Sequence, residues 1–483
     1  MNTGSGSFIS SFAASFVDLL RLPRALWFVI GAFVIDTAAY YGVLTLMTTY
    51  FHADLGASDA LASTTVSIFT MVVTLFMLGI GSYAEQFGLR RAIVFALLLT
   101  AIGRAIYSFA PHVHGRFAIV STLLPGLLFA AMGVSILQPV CYSGVKQYTD
   151  DKTNAMGYGL IYALMNLGLV GIGALSSWMR PAVQNLKDGK ALQDHFAGPV
   201  INFLARFSAT GVQAVNWACV GLTVITLLLF LILMTRKAES AKLRPDVATQ
   251  SRQSSNVPLA QRLREFFSGG PFSNPRFIFF IFMLLPVRTL FAHQWLTFPA
   301  YILRAFEKGV ADHMEQLVFW INAGIIFLGV PVATALTRQV NVYKMMIIGT
   351  FVSAVPTFLL CGGPNVYLLI AYFVIFSIGE ALWSARFLQY AAELAPAGRV
   401  AQYMGLANIP WLLAKGTTGF YSGFLLSKFC PDNVPRSELH PGPLWFIYGC
   451  IAITSPIGLW LARKWVMAGL EHRPEPVPQF AVQ

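Results

Sequence analysis

The chain of 483 residues is 56% hydrophobic and only 11% charged, and its mean hydropathy is +0.64. Soluble proteins carry about 25% charged residues, so this composition excludes a water-soluble globular enzyme, and it also excludes a disordered chain. A spanning helix needs about 20 apolar residues, so the length suits an all-α, multi-pass membrane protein. Such proteins collect Lys and Arg in cytoplasmic loops, which explains the net charge of +12. We therefore expect a lipid bilayer as partner and no nucleic acid.

The first 24 residues resemble neither a membrane span nor a cleavable signal peptide, because they have no long apolar core and no small-residue cleavage site. Apolar residues recur there at helical spacing and the pattern stops at Pro23. We expect residues 1–24 to form a short amphipathic helix that lies on the membrane surface.

Twelve apolar segments follow along the chain. We predict spans at 26–50, 61–86, 91–110, 117–145, 155–178, 211–235, 275–303, 314–337, 343–361, 365–393, 400–427 and 443–466. The stretch 181–210 is too polar to span and is expected outside the membrane. The predicted organisation has two six-helix bundles joined by a basic cytoplasmic linker, at 25–235, 236–274 (linker) and 275–468, with a tail at 469–483.

The basic residues predict the orientation. With both termini in the cytoplasm, the cytoplasmic segments hold 20 Lys and Arg, the outer segments hold 9 and the span interiors hold 4. This asymmetry favours cytoplasmic termini. The sequence has no N-x-[Ser/Thr] glycosylation acceptor, which is compatible with a bacterial inner membrane.

A pattern of glycines recurs in the fifth and eleventh spans. The spacings are eleven and three residues in both spans: Gly157, Gly168 and Gly171 in the fifth, and Gly405, Gly416 and Gly419 in the eleventh. Parallel repeats of six helices are known in transporters, whereas chance is the alternative, since small residues are common where helices pack.

The loop between the second and third spans reads GSYAEQFGLRR, from Gly81 to Arg91. It resembles the cytoplasmic motif of the major facilitator superfamily, with Glu85 where the family usually has Asp. The resemblance implies that Gly81 allows close helix approach, that Gly88 turns the loop, and that Glu85, Arg90 and Arg91 form a conformational latch. An ordinary basic loop is the alternative reading. Motif, position and span count together predict the twelve-helix major facilitator fold.

Four segments resemble the proton-coupled oligopeptide transporters within that superfamily. They are DTAAYYGVLTLMTTYF from Asp36, GYGLIYALMNLGLVG from Gly157, TLFAHQWLT from Thr289 and GEALWSARFLQYAAELAP from Gly379. The family's signature positions kept in them are Tyr40, Tyr41, Gly42, Tyr162, Asn166, Gly168, Gln294, Glu380, Ser384 and Pro396.

The same comparison shows departures from the family pattern. In the first span the family's Glu-x-x-Glu-Arg cluster is replaced, so that Phe33, Asp36 and Thr37 stand at its three charged positions. Gln138 replaces the usual Lys of the fourth span, and His293 replaces the acid of the seventh. Two cations and one or two acids of the usual proton and peptide machinery are therefore missing.

Ionisable groups inside spans are candidates for function, because a charge at the centre of a span costs about 2.5–3.5 kcal/mol on insertion scales. The predicted spans keep Asp36, Arg104, Arg288, His293, Glu380, Arg386 and Lys415. As proton-coupling residues we propose Asp36, His293 and Glu380. Asp36 either takes up a proton or binds a substrate amine, or it hydrogen-bonds a neighbouring helix.

Glu380 and Lys415 either form a structural ion pair or separate when substrate arrives, and the family resemblance implies that Glu380 faces a peptide amino terminus. Arg288 is suited to a substrate carboxylate. His293 is either a proton relay or a packing residue. The candidate substrate-binding residues are Tyr40, Tyr41, Gln138, Asn166, Arg288, Gln294, Glu380 and Lys415.

We found no enzyme signature, metal-ligand pair or nucleotide-binding loop, so we expect no cofactor, with the proton gradient as driving force. The resemblance implies proton-coupled transport of a small organic solute, a short peptide or peptide-like compound, by alternating access. The missing cations leave a facilitator or exchanger of a non-peptide solute as an alternative. A ligand-binding membrane receptor that moves nothing is the other alternative.

Overall fold

The computed structural model describes residues 22–79, 88–150, 153–190, 198–241, 275–337, 340–394 and 409–471. Nearly all of these residues are helical, and this part of the chain contains no strand. The predicted surface helix at 1–24 lies almost wholly outside the described residues, as does most of the linker 236–274.

The first half contributes six long helices, which we number by span. They are α1 (Arg24–Thr49, continued by a π turn at Tyr50–Asp54), α2 (Asp59–Gly79), α3 (Leu89–Phe109), α4 (Arg116–Tyr148), α5 (Asn154–Lys187) and α6 (Gly211–Leu233). The linker begins with one helical turn, Arg236–Ser240, whose N-terminus is capped by the Thr235 hydroxyl.

The second half also contributes six. They are α7 (Pro275–Met283, Leu285–Leu296 and Phe298–Ala305), α8 (Met314–Leu336), α9 (Val342–Ala354, continued by a 3-10 helix at Val355–Gly362), α10 (Val366–Leu394), α11 (Ile409–Phe429) and α12 (Gly442–Leu461). A short helix, Arg463–Glu471, follows α12.

All twelve predicted spans are found as helices. Ten of the described helices are long and apolar enough to cross a membrane, and Met314–Val330 in α8 is a shorter apolar helix. Helix α11 falls short of that hydropathy, since it carries Lys415 and Lys428. The twelve-helix fold class is therefore confirmed.

Two predicted boundaries differ from the structure. Helix α5 runs on to Lys187, because Pro181 is accommodated inside it, and the rest of the polar stretch includes a short amphipathic helix, Gly198–Phe207. Helix α7 is broken into three pieces. Pro286 and Pro299 open its second and third pieces, because proline lacks the N–H of a helical hydrogen bond and clashes with the preceding turn.

The two halves meet along two matching helix pairs. Helix α11 packs on α2 and α5 packs on α8, which is the arrangement expected if the halves are repeats. Large apolar side chains on the outer faces are exposed, among them Phe117, Leu228, Ile232, Leu328 and Phe420. They form a surface that suits lipid rather than water.

Candidate functional site

Two cavities lie between the halves. The first, of about 370 Å³, is lined by α1, α2, α4, α5 and α11. The second, of about 400 Å³, is lined by α1, α5, α7, α8, α10 and α11. Tyr41, Tyr162, Met165 and Trp411 line both cavities, so the cavities adjoin. Each has the volume of a small-molecule site, about 300–1,000 Å³.

Nearly all the predicted site residues line these cavities. The first cavity is lined by Asp36, Tyr40, Gln138 and Lys415, and Tyr41 lines both cavities. The second cavity is lined by Asn166, Arg288, Gln294 and Glu380. His293 lines neither. The side chain of Arg386 lies outside the described part of the chain.

Asp36 is held by neighbouring helices. Its carboxylate accepts a hydrogen bond from Arg104 Nη1 on α3 at 2.7 Å and another from the Thr223 hydroxyl on α6 at 3.1 Å. Asp36 is 1% exposed and Arg104 is 3% exposed. This geometry supports the hydrogen-bonding alternative for Asp36, and it gives Arg104 a counterion that the sequence did not reveal.

Glu380 and Lys415 do not pair with each other in the described structure. The Glu380 carboxylate accepts a hydrogen bond from Asn322 Nδ2 at 2.8 Å and faces the second cavity. Lys415 Nζ faces the first cavity, 3.4 Å from the Thr74 hydroxyl of α2 and 5.0 Å from the centre of the Trp411 ring. The structural ion pair considered from the sequence is therefore absent, and each charge borders its own cavity.

Arg288 is buried and lacks an ionic partner among the described residues. Its guanidinium carbon lies 4.2 Å from the centre of the Phe387 ring and 5.7 Å from that of Trp383. Its Nε has no hydrogen-bond partner. A guanidinium stacked on aromatic rings keeps its edge free for a planar anion, and here it borders the same cavity as Glu380.

His293 is completely buried. Its Nδ1 is hydrogen-bonded to the Thr297 hydroxyl at 2.8 Å, and its ring stacks on Tyr448 at 3.8 Å between centres. The Tyr421 hydroxyl lies 3.5 Å from Nε2. These contacts are those of the packing alternative.

Ion pairs between the halves cluster at the end of the molecule that carries the α1–α2, α7–α8 and α11–α12 connections. We call this the outer end, because the charge asymmetry predicts it outside the cell. Arg180 Nε at the end of α5 donates to Glu315 Oε1 of α8 at 2.5 Å, and Arg180 Nη2 donates to the Ala311 carbonyl at 2.6 Å. Arg180 is 8% exposed and Glu315 is 1% exposed.

A second group of charges at the outer end joins α2 to the second half. Arg304 donates two hydrogen bonds to the Asp59 carboxylate, at 2.7 Å and 2.6 Å, which is the two-pronged geometry that favours arginine. His52 Nε2 lies 3.0 Å from Asp432 Oδ2. The outer end is therefore closed in this structure.

Of the motif between α2 and α3, Gly81 and Glu85 lie outside the described residues. Gly88 has a φ of 88°, a left-handed value that favours glycine. The Arg90 backbone N–H donates to Glu239 Oε1 at 3.2 Å, and Arg90 Nε donates to the Met234 carbonyl at 2.5 Å, so these two bonds join Arg90 to the end of α6 and the start of the linker. Arg91 is exposed.

The sequence analysis did not single out the residues of the outer end. Arg180, Glu315, Asp59 and Arg304 stand near predicted span ends, where charges are ordinary. Asn322, the partner of Glu380, carried a detectable signal, because it is a polar side chain in the middle of an apolar span.

Comparison with known proteins identifies the family of this chain. Residues 26–416 match the family model of the Major Facilitator Superfamily. Dipeptide and tripeptide permease A of Proteus mirabilis is 27% identical over 156 residues, which is 32% of this chain and 30% of the permease. The match thus spans less than a third of that relative.

Solved structures share the fold along nearly the whole chain. A POT family transporter in complex with 5-aminolevulinic acid has a TM-score of 0.66 at 15% identity, over 92% of this chain and 97% of that one. The nucleoside transporter NupG has a TM-score of 0.65 at 12% identity, over 90% of this chain and 99% of that one. Because the family model covers most of the chain, the chain belongs to the Major Facilitator Superfamily and is a multi-pass membrane transporter, not an enzyme.

Proposed function

We propose that the protein is a proton-coupled transporter of short peptides or peptide-like compounds that works by alternating access. The observation that carries this proposal is the pair of opposite, mutually unpaired charges in the second cavity, Arg288 on α7 and Glu380 on α10. A short peptide presents a carboxylate at one end and an ammonium at the other, so both charges of the cavity would gain a partner.

The remaining lining of the second cavity suits a solute of varied shape. Tyr41, Phe291, Trp295 and Trp411 offer aromatic faces, and Asn166, Gln294 and Asn322 offer neutral amides. The Nε2 of Gln294 and the Nε1 of Trp295 have no hydrogen-bond partner in the part of the chain that the structure describes. Such unpaired donors are available for the carbonyl groups of a peptide.

Glu380 is the best-placed group for proton coupling. Among the described residues, its carboxylate is hydrogen-bonded by the neutral amide of Asn322, whereas Asp36 is held by a charged guanidinium. An acid without a counterion can be protonated and deprotonated during the cycle at lower cost. One proton moving across 100 mV releases about 2.3 kcal/mol, which is enough to concentrate a solute.

We further propose cytoplasmic termini in a bacterial inner membrane, so that the closed outer end faces away from the cytoplasm and the structure is inward-facing. Protons and the bilayer would be the partners besides the solute, with no cofactor. In a cysteine-free background, an impermeant maleimide should label His114→Cys in whole cells and spare Lys237→Cys until the cells are lysed. The reverse pattern would refute this topology.

A non-peptide, nitrogen-containing solute is the second candidate, because the first-half positions of Thr37 and Gln138 are uncharged and lie at the first cavity. The fold likeness to a nucleoside transporter is compatible with it. A receptor that moves nothing would show binding without uptake.

The test is uptake into liposomes that hold the purified protein, under an inward proton gradient, with a pool of di- and tripeptides measured by mass spectrometry. We expect peptide accumulation that collapses when the gradient is dissipated. No accumulation by folded protein would refute the peptide proposal, and uptake of a nucleoside or amine from a second pool would support the other candidate.

A further inference from the structure

The first cavity carries a positive charge that no nearby carboxylate balances. Among the described residues, Lys415 is the cation that lines it, and its ammonium contacts the Thr74 hydroxyl at 3.4 Å. Asp36 lines the same cavity, but its charge is neutralised by Arg104, which lies behind it at 2.7 Å. An ammonium placed inside a membrane without a counterion is costly, so Lys415 is suited to an anion that arrives from outside the protein.

The second cavity likewise carries a cation that no nearby carboxylate of the described residues pairs with. Arg288 has no ionic partner among the described residues and presents an Nε without a hydrogen bond. Among the described residues, Glu380 offers the single carboxylate that lines this cavity. Together the two cavities and the Arg104 behind them hold three cations and two carboxylates, so the combined site carries a net positive charge.

The two cations are placed to act on different groups of one ligand. Lys415 lines the first cavity only and Arg288 lines the second only. Both cavities are bordered by Tyr41 and Trp411, so the cavities adjoin, and a ligand that binds both cations would extend from one into the other. A lone terminal carboxylate would satisfy one of the cations and leave the other unpaired.

We propose, resting on the proposed function, that the site selects peptides that carry an acidic side chain. The terminal carboxylate and the side-chain carboxylate would occupy Arg288 and Lys415, and Glu380 would receive the ammonium. Arg288 and Lys415 of the second half would thus bind the anionic groups, because Thr37 and Gln138 of the first half carry no charge. A hydrogen bond to a charged group contributes enough for a preference of about tenfold or more over an uncharged side chain.

The experiment measures binding of Ala-Glu, Ala-Gln and Ala-Lys to the purified full-length protein by calorimetry. We expect Ala-Glu to bind about tenfold tighter than Ala-Gln, with Ala-Lys the weakest. Lys415→Gln should abolish the preference for Ala-Glu over Ala-Gln, while Lys415→Arg should keep the preference. The matched control is Lys428→Gln, which removes an exposed lysine from the same helix.

Equal binding of Ala-Glu and Ala-Gln to the unmodified protein would overturn the inference, and it would leave peptide transport intact if both are accumulated in liposomes. A preference that survives Lys415→Gln would also overturn it. If none of the peptides binds or is accumulated, the proposed function itself fails. If a variant does not fold, the comparison of Ala-Glu with Ala-Gln on the unmodified protein still tests the inference.

Discussion

Asp36 and Glu380 are both carboxyl groups within apolar helices, yet their surroundings give them different roles. Asp36 is fixed by a guanidinium and a hydroxyl from two other helices. Glu380 borders a cavity and accepts a hydrogen bond from the neutral amide of Asn322. At the scale of single residues, we infer that Asp36 stabilises the first half and that Glu380 is available for protons and substrate.

Asp36→Asn should destabilise the protein. Removing one member of a buried ion pair leaves the other charge unpaired, at a cost of about 3–5 kcal/mol. Thermal unfolding in detergent should show a clear drop for Asp36→Asn. The apolar double variant Asp36→Leu/Arg104→Met should recover much of it, because a buried pair can often be replaced without loss.

The opposite experimental result for Asp36→Asn would give Asp36 a different role. If Asp36→Asn unfolds like the unmodified protein but loses gradient-driven accumulation, then Asp36 carries the coupling proton after all, and the ion pair with Arg104 is dispensable for the fold.

Arg288→Gln should weaken the binding of Ala-Ala by about 10–100-fold, because hydrogen bonds to charged groups contribute about 1.5–3 kcal/mol. The C-terminally amidated dipeptide lacks the carboxylate, so its affinity should hardly change in the variant. Competition binding against both ligands measures the difference. An equal loss for both ligands would mean that Arg288 acts through packing on Phe387 and Trp383.

At the scale of the elements, the closed outer end depends on backbones that approach closely. Gly419 of α11 lies against Ser63 and Ser67 of α2, and a Cβ at this glycine would lie 2.5 Å from the Ser63 carbonyl oxygen. Its counterpart in the glycine pattern, Gly171 of α5, has open space at the Cβ position. In this matched pair, close helix packing therefore requires a glycine in α11 and not in α5.

Gly419→Ala should push α2 and α11 apart and increase the population with an open outer end. Spin labels at Leu61→Cys and Ser427→Cys, in a cysteine-free background, should report longer distances in this variant. Gly171→Ala is the matched control and should leave the distances as they are. Unchanged distances in Gly419→Ala would mean that the closed end tolerates the added methyl group.

Sequence patterns were sufficient for the helices but not for their charge partners. Long apolar runs predict spans directly, so all twelve were found, and errors arose where proline acts in context: Pro286 and Pro299 break α7, whereas Pro181 is accommodated in α5. The partner of Asp36 lies 68 residues away on another helix, and such a pairing leaves no local pattern.

The same limit applies to the candidate site: the positions of its charges could be predicted from the sequence, but their partners could not. Most charges predicted from their position inside spans do border a cavity, since an ionisable group in a membrane requires a partner or a wet space. A structural pair of Glu380 with Lys415 was one of two alternatives suggested by the neighbouring helices α10 and α11, and it is not found, because the two helices present these side chains to different cavities.

At the scale of the whole molecule, the halves are held together at one end. The described ion pairs between halves, Arg180–Glu315, Asp59–Arg304 and His52–Asp432, all lie at the outer end. Opening that end requires these pairs to separate, and the close contact between α2 and α11 must part as well. The structure therefore has the form of one end state of a rocking cycle, with the charged cavities between the halves.

The central claim is that Glu380 couples a proton to the movement of solute through these cavities. The most direct measurement compares gradient-driven accumulation with counterflow, at saturating peptide, for Glu380→Gln in liposomes, with the exposed loop variant Glu438→Gln as control. We predict that Glu380→Gln loses accumulation and keeps counterflow, while the control keeps both. Accumulation by Glu380→Gln at the level of the unmodified protein would contradict the account.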